Sequence, residues 1–226
     1  RLSLVGSEMC IRDSIMTDPK TKRNALLGAT LVKRLKQRAF DAYYCATKEE
    51  ALQQALDLIS PEDVISWGGS ATIAEIGLLA HVRSHYTCID RDTAKTPEER
   101  MELMRRGLLC DTFLMSANAI TTAGELINID GNGNRCAALI YGPKQVIVIA
   151  GLNKVTKTLP SAIDRAHETA ATINIQRFNA QTPCALTGVC ADCNCDDTIC
   201  NYIVVTRRSK PANKIKVILV GEDVGY

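Results

Sequence analysis

The chain has 226 residues, 46% of them apolar, and a formal net charge of +2, enough apolar content for one sizeable core. So small a charge, with one Trp, six Tyr and three Phe, leaves no basic or stacking footprint for nucleic acid. No apolar stretch reaches the roughly 18 residues of a membrane span and no secretory signal is legible, so a cytoplasmic chain is expected, with its ten cysteines as thiols or metal ligands.

Residues 1–14, RLSLVGSEMCIRDS, resemble translated sequencing-adapter read-through, and Met16 offers a natural start. Residues 15–46 form an N-terminal helical segment: Leu26, Leu27, Leu31, Val32 and Leu35 share one face, and the helix is expected from Thr17 to about Ala42. The main α/β domain is expected over residues 47–226. Thr47-Lys48-Glu49-Glu50 opens a helix to about Ile59. Asp63 to Trp67 then reads as a strand delivering Gly68-Gly69-Ser70 to the start of a helix over Thr72 to Leu79. A glycine pair with a hydroxyl at such a junction suits either a plain turn or the approach of an anion to backbone N–H groups. His81 and His85 stand four apart but have no acid or cysteine close in sequence, so they read as exposed helix-end residues.

Tyr86 to Asp90 is a short strand, and Thr96-Pro97-Glu98-Glu99 starts a helix that Gly107 ends. Cys110 to Met115 is a strand from whose end Ser116-Ala117-Asn118 emerge, Glu125 to Ile129 is a short extended piece, and Asn134 to Ile140 a short helix. Between the last two, Asp130-Gly131-Asn132-Gly133-Asn134 suits positive φ and close backbone approach, followed by Arg135, a bidentate donor. Gln145 to Ala150 is a buried strand with Gly151 to Lys154 as its exit loop. Ligands settle outside the carboxyl ends of strands in open α/β sheets, so the three polar strand ends should converge. A helix through Ala171, the cysteine segment, and strands Tyr202 to Thr206 and Lys214 to Val220 complete the chain.

WGGSATIAEIGL (67–78), SANAIT (116–121), GELINIDGNGNR (124–135), GPK (142–144), GLNK (151–154), TPCALTGVCADCNCDDTICN (182–201) and VILVGEDVGY (217–226) follow one another in the order found in the lactate-utilisation (LUD) domain family, which the chain resembles from about Tyr43 to Tyr226. That resemblance implies an open Rossmann-like sheet related to ribose-5-phosphate isomerase, glucosamine-6-phosphate deaminase and the CoA transferases, with an added N-terminal helix. It also implies a role near the oxidation of lactate or a similar acid.

In the cysteine-rich insertion at 182–201, Cys184, Cys190, Cys193, Cys195 and Cys200 are spaced C-x5-C-x2-C-x-C-x4-C. Cys190 and Cys193 have the tight bite of a metal knuckle, which Cys184 and Cys200 can complete, leaving Cys195 spare. Four thiolates suit an iron–sulfur cluster or zinc, or the loop binds nothing. The resemblance favours the cluster.

The leading expectation is a redox-associated subunit that binds a small anionic ligand. Gly68, Gly69, Ser70, Asn118, Asn134, Arg135, Asn153 and Lys154 form its pocket: Arg135 and Lys154 neutralise the anion, and the asparagines fix it by hydrogen bonds. Iron–sulfur partner subunits and a homo-oligomer are the expected associations. An isomerase or acyl/CoA transferase using Glu75, Glu125 or Asp130, or a non-catalytic assembly subunit with structural zinc, are the alternatives.

Overall fold

The computed structural model describes residues 18–226; the adapter-like segment and Met16 lie outside the described residues. Asp18 caps the first helix, α1 (Pro19–Gln37), by accepting from the Thr21 N–H at 3.1 Å, and Leu31 and Leu35 are its buried face. The helix ends earlier than its sequence pattern implies. Ala39 takes a left-handed φ of 57°, and the chain turns into a strand, β1 (Asp41–Cys45), which the apolar spacing of the sequence does not separate from the helix.

From there helix and strand alternate. α2 (Lys48–Asp57), capped by Thr47, leads to β2 (Val64–Trp67). The expected helix after β2 is two short ones, α3 (Ala71–Glu75) and α4 (Leu78–His85), broken at Gly77, whose φ is 80°. β3 (Thr87–Cys88), α5 (Pro97–Arg106) and β4 (Thr112–Met115) follow. Next come β5 (Ala119–Thr121), β6 (Leu126–Asp130), α6 (Asn134–Ile140), β7 (Gln145–Gly151) and β8 (Val155–Thr156). α7 (Leu159–Arg165) runs on through a π-helical stretch (Ala166–Ala171) into α8 (Thr172–Ile175). α9 (Pro183–Thr187), β9 (Tyr202–Thr206) and β10 (Ile215–Val220) complete the order.

The main sheet has six strands in the order β1-β10-β7-β4-β2-β3, and every pair in it is parallel. A parallel sheet must be covered on both faces, and its central strands show this. Val146, Val148, Val217 and Leu219 point to a core shared with α1 and α6, while Ile147, Ile149, Ile218 and Val220 point to one shared with α2, α3 and α4. A second sheet, β8-β5-β6-β9, was not legible as such. It pairs β6 antiparallel with β5 and β9, and packs Ala119, Ile127 and Ile129 against Ala162 and Ala166. The fold is therefore α/β around a mostly parallel sheet, as expected, with an added small sheet.

Adjacent strands β2 and β4 send the chain in opposite directions: β2 leads out to β3, β4 leads the other way to β7. This is a topological switch point, where a crevice opens beyond the carboxyl ends of the strands.

Candidate functional site

A cleft of about 710 Å³ occupies that crevice. The ends of β2, β4 and β7 supply its floor through Gly68, Gly69, Ser70, Ser116, Asn118 and Lys154, so the three strand-end motifs do converge. Asn134 and Arg135 line it as well; Asn153 does not. The Asn153 side chain instead ties down the residues after β10, donating to the Gly225 carbonyl at 3.1 Å and accepting from the Val224 N–H at 3.4 Å.

Arg135 is a brace. Its Nη1 donates to the Ser116 carbonyl at 2.9 Å and to Asn128 Oδ1 at 2.7 Å, and its Nη2 to Asn118 Oδ1 at 2.9 Å and to the Ile129 carbonyl at 2.6 Å. Four acceptors from β6 and the loop after β4 therefore hold one guanidinium and lock the two sheets together. The side chain of Asn118 is committed too, since its Oδ1 also accepts from the Ile129 N–H at 2.9 Å.

The glycine pair has a steric cause. A Cβ on Gly68 would stand 2.6 Å from Arg135 Cδ, and one on Gly69 would stand 2.9 Å from Arg91 Nη2. Two arginines thus lie against the bare backbone, one on each glycine. Ser70 caps α3, accepting from the Ile73 N–H at 3.3 Å.

The cations that face the cleft without a full set of partners come from segments that carry no recognisable motif. Arg91, Arg100 and Arg177 line it along with Asp92, Asp130 and Asp197. Arg91 Nε is buried with no hydrogen-bond partner among the described residues; its 3.9 Å approach to Asp92 is too long to be one. Burial pulls the Arg91 guanidinium below its ordinary range. The indole Nε1 of Trp67, at the end of β2, is likewise buried without an acceptor, with the Arg83 guanidinium 5.1 Å from its ring centroid. Both residues line the cleft. Sequence spacing offered no signal for either.

Lys154 is 2% exposed. Its Nζ donates to Thr72 Oγ1 at 2.8 Å and Ser116 Oγ at 3.1 Å. Burial, with Arg165 and Arg135 nearby, pushes its amine down to about 7, against a smaller opposing pull from Glu75.

The acidic residues considered as bases separate. Asp130 lines the cleft, with its Oδ2 accepting from the Cys136 N–H at 3.0 Å. Glu75 accepts from the Gly225 N–H at 2.8 Å. Glu125 lies elsewhere, 3.7 Å from Arg38 and 3.9 Å from Arg207.

Asp197, Thr198 and Ile199 of the cysteine segment complete the cleft rim. Asn201 anchors this segment through its donation to the Gly131 carbonyl at 3.0 Å. The Cys200 thiol is pushed up to about 11, first by burial and then by Cys190, Cys184 and Cys193, so these four share one neighbourhood. Cys195 sits against Cys193, and its thiol is raised by burial and that contact. Among the described residues no three His, Cys, Asp or Glu side chains already stand in a metal-binding arrangement. His81 and His85 stack on each other, ring centroids 4.2 Å apart.

A profile of the LUD domain family matches residues 29–220. The chain belongs to the LUD domain family. It is a lactate-utilisation-type protein on that membership. Among solved structures it is similar to a DUF162 family protein from Deinococcus radiodurans, at 12% identity over 87% of this chain and 98% of that one, with a TM-score of 0.51. It is also similar to ribose 5-phosphate isomerase A from Methanocaldococcus jannaschii, at 16% identity over 78% of this chain and 96% of that one, with a TM-score of 0.38. No curated protein matches the chain. Among the described residues no helix is long and apolar enough to cross a membrane.

Proposed function

We propose that this LUD domain protein is a redox-associated subunit that binds a small carboxylate in the switch-point cleft and carries a metal centre on its cysteine segment. The orphaned donors carry the reading. A buried N–H without an acceptor costs roughly 1–3 kcal/mol, so Arg91 Nε and Trp67 Nε1, on two residues that line the cleft, favour an acceptor-rich ligand there. Arg91, Arg100 and Arg177 supply the charge that complements a carboxylate. Arg135, together with Gly68, Gly69, Ser70, Asn118 and Asn134, shapes the wall, and Asn153 holds the strand-end loop in place.

The donor set of Cys184, Cys190, Cys193 and Cys200, four thiols of one neighbourhood around the partly buried Cys200, has the chemistry of a thiolate-bound centre, an iron–sulfur cluster or zinc, and would have to draw together to hold it. A cluster would supply one-electron chemistry and exchange electrons with iron–sulfur partner subunits. Zinc would hold the segment together. Either way, Asn201 ties the segment to the Gly131 carbonyl, and Thr198 and Ile199 form part of the cleft rim.

Anaerobic purification with a visible spectrum and metal analysis, beside the Cys190→Ser and Cys193→Ser variants, tests the centre. Stoichiometric iron with visible absorbance, lost in both variants, is expected. Absence of any metal from protein purified without oxygen would remove the centre. A lactate- or oxalate-dependent rise in melting temperature tests the cleft.

A further inference from the structure

Lys154 is a poor counter-ion for an anion. Its amine is almost wholly buried, makes no ion pair among the described residues, and rests between two hydroxyls, Thr72 Oγ1 at 2.8 Å and Ser116 Oγ at 3.1 Å. The groups facing it reinforce this. Arg135 and Arg165 disfavour a further positive charge, and the one nearby carboxylate, Glu75, is occupied by the Gly225 N–H at 2.8 Å. Burial is the largest influence, and at neutral pH a substantial fraction of the amine carries its lone pair.

The hydroxyls are linked in turn. Thr72 Oγ1 lies 3.3 Å from Ser116 Oγ, which reaches the Ala117 carbonyl at 3.3 Å. Gly225 backs the amine, since a Cβ there would come within 3.0 Å of Nζ. A desolvated amine, a proton-carrying hydroxyl pair, and arginines lining the same cleft are what covalent catalysis on a carbonyl compound with an acid group calls for.

We infer that Lys154 is a nucleophile that forms an imine with a 2-oxo acid held in the cleft by Arg91 and Arg177. The Nζ lone pair attacks the carbonyl carbon. The C=O π pair moves to oxygen, which takes a proton, and the nitrogen loses one, giving a carbinolamine. That hydroxyl then takes a proton and leaves as water while nitrogen forms the C=N bond and gives up its remaining proton. One amine and one carbonyl become one imine and one water, with no oxidant or reductant. Ser116 and Thr72 are positioned to carry the protons. The inference rests on the cleft being the ligand site.

Its test is trapping on the full chain, with pyruvate as probe and sodium cyanoborohydride as reductant at neutral pH. Intact-mass measurement and peptide mapping are the readout, and propionate, which lacks the carbonyl, is the control. One reduced adduct per chain on the peptide carrying Lys154, absent with propionate and absent in Lys154→Arg, is expected. Adducts scattered over exposed lysines would overturn the inference. So would no adduct at all while pyruvate still raises the melting temperature, an outcome that leaves the cleft reading standing. No adduct and no shift would bring down both. If Lys154→Arg fails to fold, mapping of the unmodified chain decides alone.

Discussion

Arg135 Cδ occupies the space that a methyl group on Gly68 would need, 2.6 Å from where that carbon would stand. The guanidinium beyond it is pinned by four acceptors, so the side chain cannot simply swing aside. Gly68→Ala should therefore destabilise the fold by about 2 kcal/mol or more, through hydrogen bonds to a charged group that are worth about 1.5–3 kcal/mol each. Urea unfolding measures it. In an Arg135→Met background, itself destabilised, the same glycine change should cost much less, because the obstructing side chain is no longer fixed. Equal costs in both backgrounds would show that the two residues do not communicate.

Lys154 gives the protein a pH dependence whose sign is opposite to that of a salt-bridged lysine. Its folded-state value near 7 lies below the ordinary 10.5, so between these two the unfolded chain binds the extra proton. Stability then rises with pH through that window, by up to about 1.4 kcal/mol per pH unit. Below it both states are protonated and the burial penalty is complete. Measured by urea unfolding from pH 6 to 9, about the usable range for such a protein, the native chain should gain on Lys154→Met as pH increases. A difference that is flat with pH would mean that Lys154 is charged where it lies.

The cysteine segment predicts a graded thiol reactivity. Without metal, Cys200, raised to about 11 first by burial, should alkylate slowly at neutral pH, since the thiolate is the reacting form. Adding zinc ions should protect Cys184, Cys190, Cys193 and Cys200 together and release protons, leaving Cys195 the most reactive of the segment. Mass mapping after brief iodoacetamide treatment reads this directly. Protection of Cys193 and Cys195 alone would move the centre to a different ligand pair.

Much of this was readable before any coordinates, and the reasons differ by residue. Gln145 to Ala150 declares a buried strand because Val146 to Ile149 are all apolar and β-branched, and Thr96-Pro97 declares a helix start because capping chemistry is local. β1 was hidden because Phe40 and Ala42 are apolar at spacings a helix tolerates, and only pairing with β10 reveals the strand. The small sheet was hidden for the same reason: β5 has three residues and β8 two, and neither carries a pattern without its partners. At the site, the strand-end motifs meet in one cleft, as their places at the ends of β2, β4 and β7 imply. Which of their polar groups are spent internally could not be read, because Arg135 finds its acceptors on β6 and the loop after β4, and Asn153 finds its own beyond β10. Arg91 and Trp67 were invisible as a pair, being 24 positions apart and joined only by the crossover from β2.

Arg91 supplies the sharpest separation of stability from function. In the protein without ligand, its buried Nε has no acceptor and its charge is disfavoured by its surroundings. Asp92 remains paired without it, with Arg83 at 3.1 Å and Arg100 at 3.2 Å. Arg91→Met should therefore leave the unliganded fold as stable as before, or more stable by up to about 1 kcal/mol, since an apolar side chain of similar length leaves no orphaned donor. A ligand that binds the folded state adds about 2.7 kcal/mol at a hundredfold excess over its dissociation constant, and that increment is what the variant should lose. Paired melting curves with and without oxalate, on the native chain and on Arg91→Met, measure both quantities at once. A variant that melts lower but keeps its oxalate increment would make Arg91 a structural residue and move anion recognition to Arg177 and Arg100.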